Sequence, residues 1–309
     1  MEPSMTQTPS RPGWLATAWY AIRPRTLPLS LSPVLAGSAV GWAQAGAPRP
    51  DITLVAALSA AAIQVGTNLQ NDAADTLNAT DQADRLGPVR VTERGWMTAR
   101  QVLAAAYASF ALAVLCGLYL VAIGGWPILA IGLVSVAAGY AYSAGPRPIS
   151  RGPLGELFVI LFFGVVPVGG MTYLYTGGVT APALLLGAVV GLPAAAVLLV
   201  NNLRDRRNDA RAGRRTLAIL LGRDGSRRLF SGLLAGVAAG LLALGVLGAP
   251  WSGAVLGLVG LPLGVRIWRS LAEADSAAVY NACLGRTAGF QLALTLGAGL
   301  GLLLAGLWP

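Results

Sequence analysis

"ITLVAALSAAAIQVGTNLQNDAADTLNATDQADR", residues 52–85, changes character abruptly at its middle. Residues 52–71 hold no ionisable side chain, and then Asp72, Asp75, Asp81 and Asp84 follow within thirteen residues. About 20 apolar residues in a helix cross the hydrocarbon of a bilayer. The stretch therefore reads as a membrane-spanning helix that ends in a cluster of carboxylates, and the rest of the chain must explain that cluster.

The composition fits a chain built mainly of such segments. It has 309 residues, 55% hydrophobic and 11% charged, with a mean hydropathy of +0.64. Soluble domains carry roughly 25% charged residues, and one water-soluble core does not hide this much apolar surface. The expected fold class is an all-α, polytopic membrane bundle. Charge-free windows at 26–48 and 52–71 each fit one helix. Windows 101–146, 157–203 and 229–265 each fit two, with turns at 124–127, 176–182 and 248–251, and 287–309 fits one more. That makes nine transmembrane helices. With the N-terminus cytoplasmic, every arginine except Arg49 falls on the inner side, as the excess of positive charge in cytoplasmic loops demands. The net charge of +9 then reflects orientation against an anionic leaflet, not nucleic acid. Residues 1–13 read as a disordered polar tail, and 14–309 as a single transmembrane domain. Trp14, Trp19 and Tyr20, with Arg23 and Arg25, suit an interfacial helix.

Several chemistries are excluded. The chain has no His, and all 22 of its basic residues are Arg. A His base, a His metal ligand and a Lys Schiff base are therefore absent. Cys116 and Cys283 lie in or beside apolar runs and read as small core residues.

The acidic cluster has a counterpart in "NNLRDRRNDARAGRRT", residues 201–216, after another long apolar run. Asn68, Asp72 and Asp75 are spaced i, i+4, i+7. Asn201, Asp205 and Asp209 are spaced i, i+4, i+8. Each set lies along one helix face. Four helices separate the two, so both meet the same side of the membrane, which suggests two pseudo-repeated halves. Carboxylate and amide oxygens without His or Cys suit a hard cation such as Mg²⁺, which takes one or two carboxylates plus substrate phosphate. Arg85, Arg90, Arg204, Arg214 and Arg215 stand near, and guanidinium groups match phosphate geometry. A charged head gripped at the surface leaves a greasy tail among the helices. Arg206, Arg207, Arg223, Arg227 and Arg228 read as orientation charges, and Arg266, Arg269, Glu273 and Asp275 as a solvated mixed-charge loop. A competing reading is a cation transporter, but its carboxylates belong near mid-membrane, and here every Asp of the two clusters sits at a span's end or beyond.

The two Asp-rich stretches resemble those of the UbiA superfamily of intramembrane aromatic prenyltransferases. "AIRPRTLPLSLSPVLAG" (21–37), "YSAGPRPISRGPLGELFVILFFG" (142–164) and "GRRTLAILLG" (213–222) resemble its menaquinone-pathway branch, which prenylates 1,4-dihydroxy-2-naphthoate. Where the superfamily's first motif has a third Asp, this chain has Ala79, so Asp81 or Asp84 must serve instead. The resemblance implies two Mg²⁺ ions bridging the diphosphate of a polyprenyl donor. Asp72, Asp75 and Asp84 with Asn68 or Asn71 would hold one, and Asp205 and Asp209 with Asn201 or Asn202 the other. It implies ionisation to an allylic cation, attack by the aromatic acid acceptor, loss of its carboxylate as CO₂, and a demethylmenaquinone product. Acceptors of the 4-hydroxybenzoate or homogentisate type are the alternative. It places the enzyme in the cytoplasmic (inner) membrane with its active site facing the cytoplasm. Phe158, Phe162, Phe163, Tyr140 and Tyr142 are candidate π-faces for the cation. Arg147 is a candidate for diphosphate, for the acceptor carboxylate, or for an orientation charge. Glu156, with Arg151 as its expected ion-pair partner, is a candidate contact to the aromatic ring, since ionisable groups at membrane depth are usually functional.

Overall fold

A computed structural model of the chain describes residues 12–77, 87, 89–143 and 148–307, with the side chains of Asp75 and Ser143 outside that description. Among the described residues the structure is helical and holds no strand. A short helix, α1 (Trp14–Ile22), stops at Arg23, whose φ of 55° turns the chain through Pro24–Thr26 into α2 (Leu27–Ala45). Next come α3 (Pro50–Leu77), α4 (Ala99–Gly124) and α5 (Trp126–Ser143). The helix α6 (Gly155–Ile160) runs through a π-turn at Leu161–Val165 into α7 (Val166–Thr176). Then follow α8 (Ala181–Arg211), α9 (Leu217–Gly245), a 3₁₀ segment Trp251–Gly260 continuous with α10 (Leu261–Ala272), and α11 (Ala277–Leu307). The polar tail at 1–11 lies outside the described residues.

Seven of the described helical runs are long and apolar enough to cross a membrane: Pro50–Ala74, Ala99–Gly124, Gly155–Thr176, Ala181–Arg211, Leu217–Gly245, Trp251–Ala272 and Ala277–Leu307. α5 contributes a shorter apolar helix, Trp126–Tyr142, and α2 runs continuously with Pro33 inside it. Large apolar side chains such as Leu115, Val136 and Val246 face outward, which only a lipid solvent tolerates over so much of the surface.

The helices outrun the charge-free windows. α3 continues through Asp72 to Leu77, and α8 through the whole of 201–211. α9 begins at Leu217, with a kink at Gly222 (φ 65°), so Arg223, Arg227 and Arg228 are helical. Arg266 and Arg269 belong to α10, not to a loop, whereas Glu273 and Asp275 follow the helix; all four are exposed, as a solvated segment requires. Charge marks where hydrocarbon ends, but the backbone hydrogen-bond ladder continues into water unopposed.

α8 is the central rod. Of its most apolar window 67% is buried in the bundle, against 22% for α4. The main core gathers around it: Leu186, Val190 and Leu199 of α8, Phe230 and Leu241 of α9, and Phe290 and Leu294 of α11. Glycine sets the closest approach. A Cβ on Gly164 would lie 2.3 Å from the Gly187 carbonyl oxygen and 2.7 Å from the Gly191 Cα. The π-turn therefore presses against α8 backbone to backbone, and α6 lies alongside the polar end of α8.

Candidate active site

The first carboxylate is closed in by its own chain. Asp72 is 1% exposed. Its Oδ2 accepts the Val91 N–H at 3.0 Å, and its Oδ1 accepts the Thr92 N–H at 3.3 Å and the Thr92 hydroxyl. The Thr92 hydroxyl also lies 2.7 Å from that of Thr76, one turn along α3. Asp72 thus anchors the turn at 91–95 to the end of α3. A buried carboxylate needs such donors, because an unpaired one is costly. One turn earlier, Asn68 donates to the Ile22 carbonyl (3.0 Å) and to the Thr26 hydroxyl (2.9 Å), tying the α1–α2 connection to α3. Asn71 is exposed, and Arg90 is buried at the start of the 91–95 turn. Asp81, Asp84, Arg85 and Arg147 lie outside the described residues, as does the Asp75 side chain.

The second set is organised by charge. Arg204 donates to both oxygens of Asp205, Nε at 2.8 Å and Nη2 at 2.6 Å. Nη2 also reaches Asn201 Oδ1 (2.9 Å), and Nη1 reaches Asn281 Oδ1 on α11 (2.7 Å). Asp209 pairs with Arg214 at 3.1 Å across the end of α8. Asn202 donates its Nδ2 to Glu156 Oε1 at 3.3 Å. Glu156 is 5% exposed, and its Oε2 has no hydrogen-bond partner among the described residues.

Contacts through α11 bring the two sets to one end of the bundle. Thr26 holds Asn68. Its neighbour Arg25 has its Cδ 3.9 Å from where a Cβ on Gly285 of α11 would stand. One turn before Gly285, Asn281 binds Arg204. The polar end of α3 and that of α8 therefore flank a common strip made by the 24–26 turn and the start of α11. Asn281 and the Val91–Thr92 turn were not anticipated from the sequence. Asn281 stands as a lone amide in "AVYNACLG", a signal too slight to single it out. The 91–92 contribution is through backbone N–H groups, which no side-chain pattern reveals.

Two expectations need correction. Glu156 does not pair with Arg151. Its partner is Asn202, and Arg151 is exposed, its carbonyl accepting the Arg215 N–H at 2.7 Å. The reason is that Arg151 ends the 149–151 turn while Glu156 lies in the first turn of α6, which starts at Gly155 and packs Glu156 against α8. Tyr140 does not join the other rings: it is 68% exposed on α5. Tyr142, Phe158 and Phe162 do form a stack, with centroids 4.8 Å and 4.5 Å apart in succession.

Every donor in both sets is oxygen, and Asp72, Asp205 and Asp209 all retain acceptor capacity, since a carboxylate offers about four lone-pair sites. Among the described residues no three acidic, His or Cys side chains meet at one point. The described residues therefore fit a hard cation that takes one or two carboxylates and completes its shell with ligand oxygens.

Fold and site together define an integral-membrane helical bundle that presents two amide–carboxylate helix ends at one end of an apolar interior. The chain belongs to the UbiA prenyltransferase family, whose model matches residues 30–285. It is 40% identical over 245 residues to a 1,4-dihydroxy-2-naphthoate octaprenyltransferase of Mycobacterium tuberculosis, covering 79% of this chain and 82% of that one. It is 37% identical over 227 residues to the Escherichia coli protein of the same name, covering 71% and 73%. Its fold is similar, at a TM-score of 0.61 and 16% identity, to a UbiA homolog from Archaeoglobus fulgidus bound to DMAPP and Mg²⁺, over 91% of this chain and 98% of the other.

Proposed function

We propose that this chain transfers a polyprenyl group from polyprenyl diphosphate to 1,4-dihydroxy-2-naphthoate, with loss of CO₂ and diphosphate, to give a demethylmenaquinone in its reduced, hydroquinone form. The observation that carries this reading is the similarity to naphthoate octaprenyltransferases over most of the chain, on a bundle whose two acidic helix ends share one end. Residues 14–309 act as one transmembrane domain. α2 and α5 complete nine crossings, with the N-terminus and the site on the cytoplasmic side of the inner membrane, because the arginines gather there.

The donor C–O bond ionises, the electron-rich ring attacks the allylic cation, and CO₂ leaves the attacked carbon to restore aromaticity. Two Mg²⁺ ions, when bound, supply Lewis-acid neutralisation of the departing diphosphate. Asp72, Asp75 and Asp84 would hold one, with Asn68 or Asn71 as the amide; the bonds from Asn68 to the α1–α2 connection use its Nδ2 and leave the ligating oxygen, Oδ1, to the cation. Asp205 and Asp209 hold the other with Asn201 or Asn202. The Archaeoglobus relative, which carries Mg²⁺ with a prenyl diphosphate on this fold, supports the metal. Arg204 orients Asp205, and Asn281 holds Arg204 in place. The stack of Tyr142, Phe158 and Phe162 excludes water and offers π-faces to the cation. Glu156 contacts the acceptor with the oxygen that Asn202 leaves unbonded.

Incubating the purified protein with Mg²⁺, an allylic diphosphate and a panel of phenolic acids tests the reading by product mass. A prenylated product of dihydroxynaphthoate that has lost 44 mass units, the mass of CO₂, is expected. A product formed only from 4-hydroxybenzoate, with its carboxyl retained, would replace the acceptor.

A further inference from the structure

Arg151, released from its expected partner, faces an open pocket of about 530 Å³ together with Arg215. Both guanidinium-bearing residues are exposed, and neither forms an ion pair with a described residue. Their backbones are locked side by side by the 2.7 Å bond from the Arg215 N–H to the Arg151 carbonyl. No acidic residue lines the pocket among the described residues. The remaining wall includes Pro148, Pro153 and Leu220. The lining carries two positive charges, and no described lining residue offsets them. An anion would. The apolar wall adds a second requirement: flat hydrocarbon must lie against proline and leucine while the anionic group meets the guanidinium forks. Arg is suited to bidentate carboxylate contacts, and the volume falls in the range of small-molecule sites.

The pocket also stands in a telling place. It abuts the start of α6, where the next residues bring in Glu156 and the Tyr142–Phe158–Phe162 stack, and it borders the end of α8 that carries Asp205 and Asp209. We infer that this pocket, between the 148–153 turn and the 213–220 segment, is the receiving site for the carboxylate of the aromatic acceptor, with Arg151 and Arg215 as its anion-binding pair. The inference rests on the acceptor being an aromatic acid, as proposed above. It moves Arg215 from the diphosphate clamp to the acceptor.

The test is equilibrium binding of 1-hydroxy-2-naphthoate, followed by its fluorescence, to the full chain in phosphatidylcholine nanodiscs. The comparison ligands are 1-naphthol, which lacks the carboxylate, and inorganic diphosphate. Arg151→Gln and Arg215→Gln are each expected to weaken the naphthoate roughly tenfold or more, the scale of one lost charge-assisted hydrogen bond, and to leave 1-naphthol unchanged. Arg151→Lys should keep part of the affinity. In turnover, both Gln variants should raise the KM for the acceptor and leave that for the prenyl diphosphate alone. Unchanged naphthoate affinity in both Gln variants, or no naphthoate binding by the wild type, would overturn the inference. So would loss of inorganic diphosphate with the naphthoate retained, which assigns the pocket to the leaving group. An effect seen only in phosphatidylglycerol nanodiscs would overturn it in favour of a lipid headgroup. A wild-type protein that binds the naphthoate through both arginines yet forms no prenylated product would leave this site standing and remove the acceptor reaction instead.

Discussion

The ends of α3 and α8 look like copies in sequence and differ in how each neutralises its carboxylates. At α3, Asp72 is buried and satisfied by neutral donors, two backbone N–H groups and a hydroxyl from residues 91–92. At α8, Asp205 and Asp209 are satisfied by guanidinium groups, and a third helix joins through Asn281. Repetition of a motif therefore repeats the ligand atoms and not their support. Among the described residues, the donors to the α3 carboxylate that the structure gives are uncharged. The α8 carboxylates share their charge with Arg204 and Arg214.

The largest effect that would break this comparison is on catalysis. Asp205→Asn is expected to lower kcat by about 10³-fold, on the scale of a lost transition-state electrostatic contact, with the protein still inserted. Near-normal turnover would remove Asp205 from the metal site. Asp72 separates two roles next. Asp72→Asn should be similarly inactive and lose about 1–3 kcal/mol of stability, because the amide oxygen still accepts one N–H while the amide NH₂ faces the other. Asp72→Ala should lose about 1–3 kcal/mol of stability for each backbone donor left unpaired, read as a still lower Tm in detergent. Wild-type Tm values in both variants would mean that the carboxylate does not hold the 91–95 turn. Asn281→Leu should cost about 10–100-fold in activity or metal affinity, the range for groups that orient a ligand, and a Mn²⁺ titration would show it. Thr92→Val should be smallest, about 1.5–3 kcal/mol for a hydrogen bond to a charged group, with activity falling less than in Asn281→Leu. If Thr92→Val proved the more damaging to activity, the α3 end would be the more finely positioned of the two.

Much of this arrangement was legible before any coordinates. The charge-free windows located the membrane helices because hydrocarbon tolerates so few ionisable groups. The i, i+4 spacing put Asn201 and Asp205 on one face because α8 continues unbroken to Arg211. What escaped was whatever depends on contacts between distant segments. Glu156 and Arg151 are close in sequence and opposite in charge, yet they lie in separate turns, and Asn202, forty-six residues away, takes the bond. Tyr140 and Tyr142 differ by two positions on α5, enough to send one ring outward and the other into the stack. The donors to Asp72 are peptide groups, which carry no side-chain signature.

The central claim is that both helix ends hold one diphosphate. Calorimetric titration of the purified chain with a non-ionising prenyl thiodiphosphate in the presence of Mg²⁺ measures it directly. One analogue per chain is predicted, with Asp72→Asn, Asp205→Asn and the double variant all losing the binding to a similar degree, because either half alone cannot complete the grip. Two analogues per chain, or losses that add as independent sites do, would contradict it.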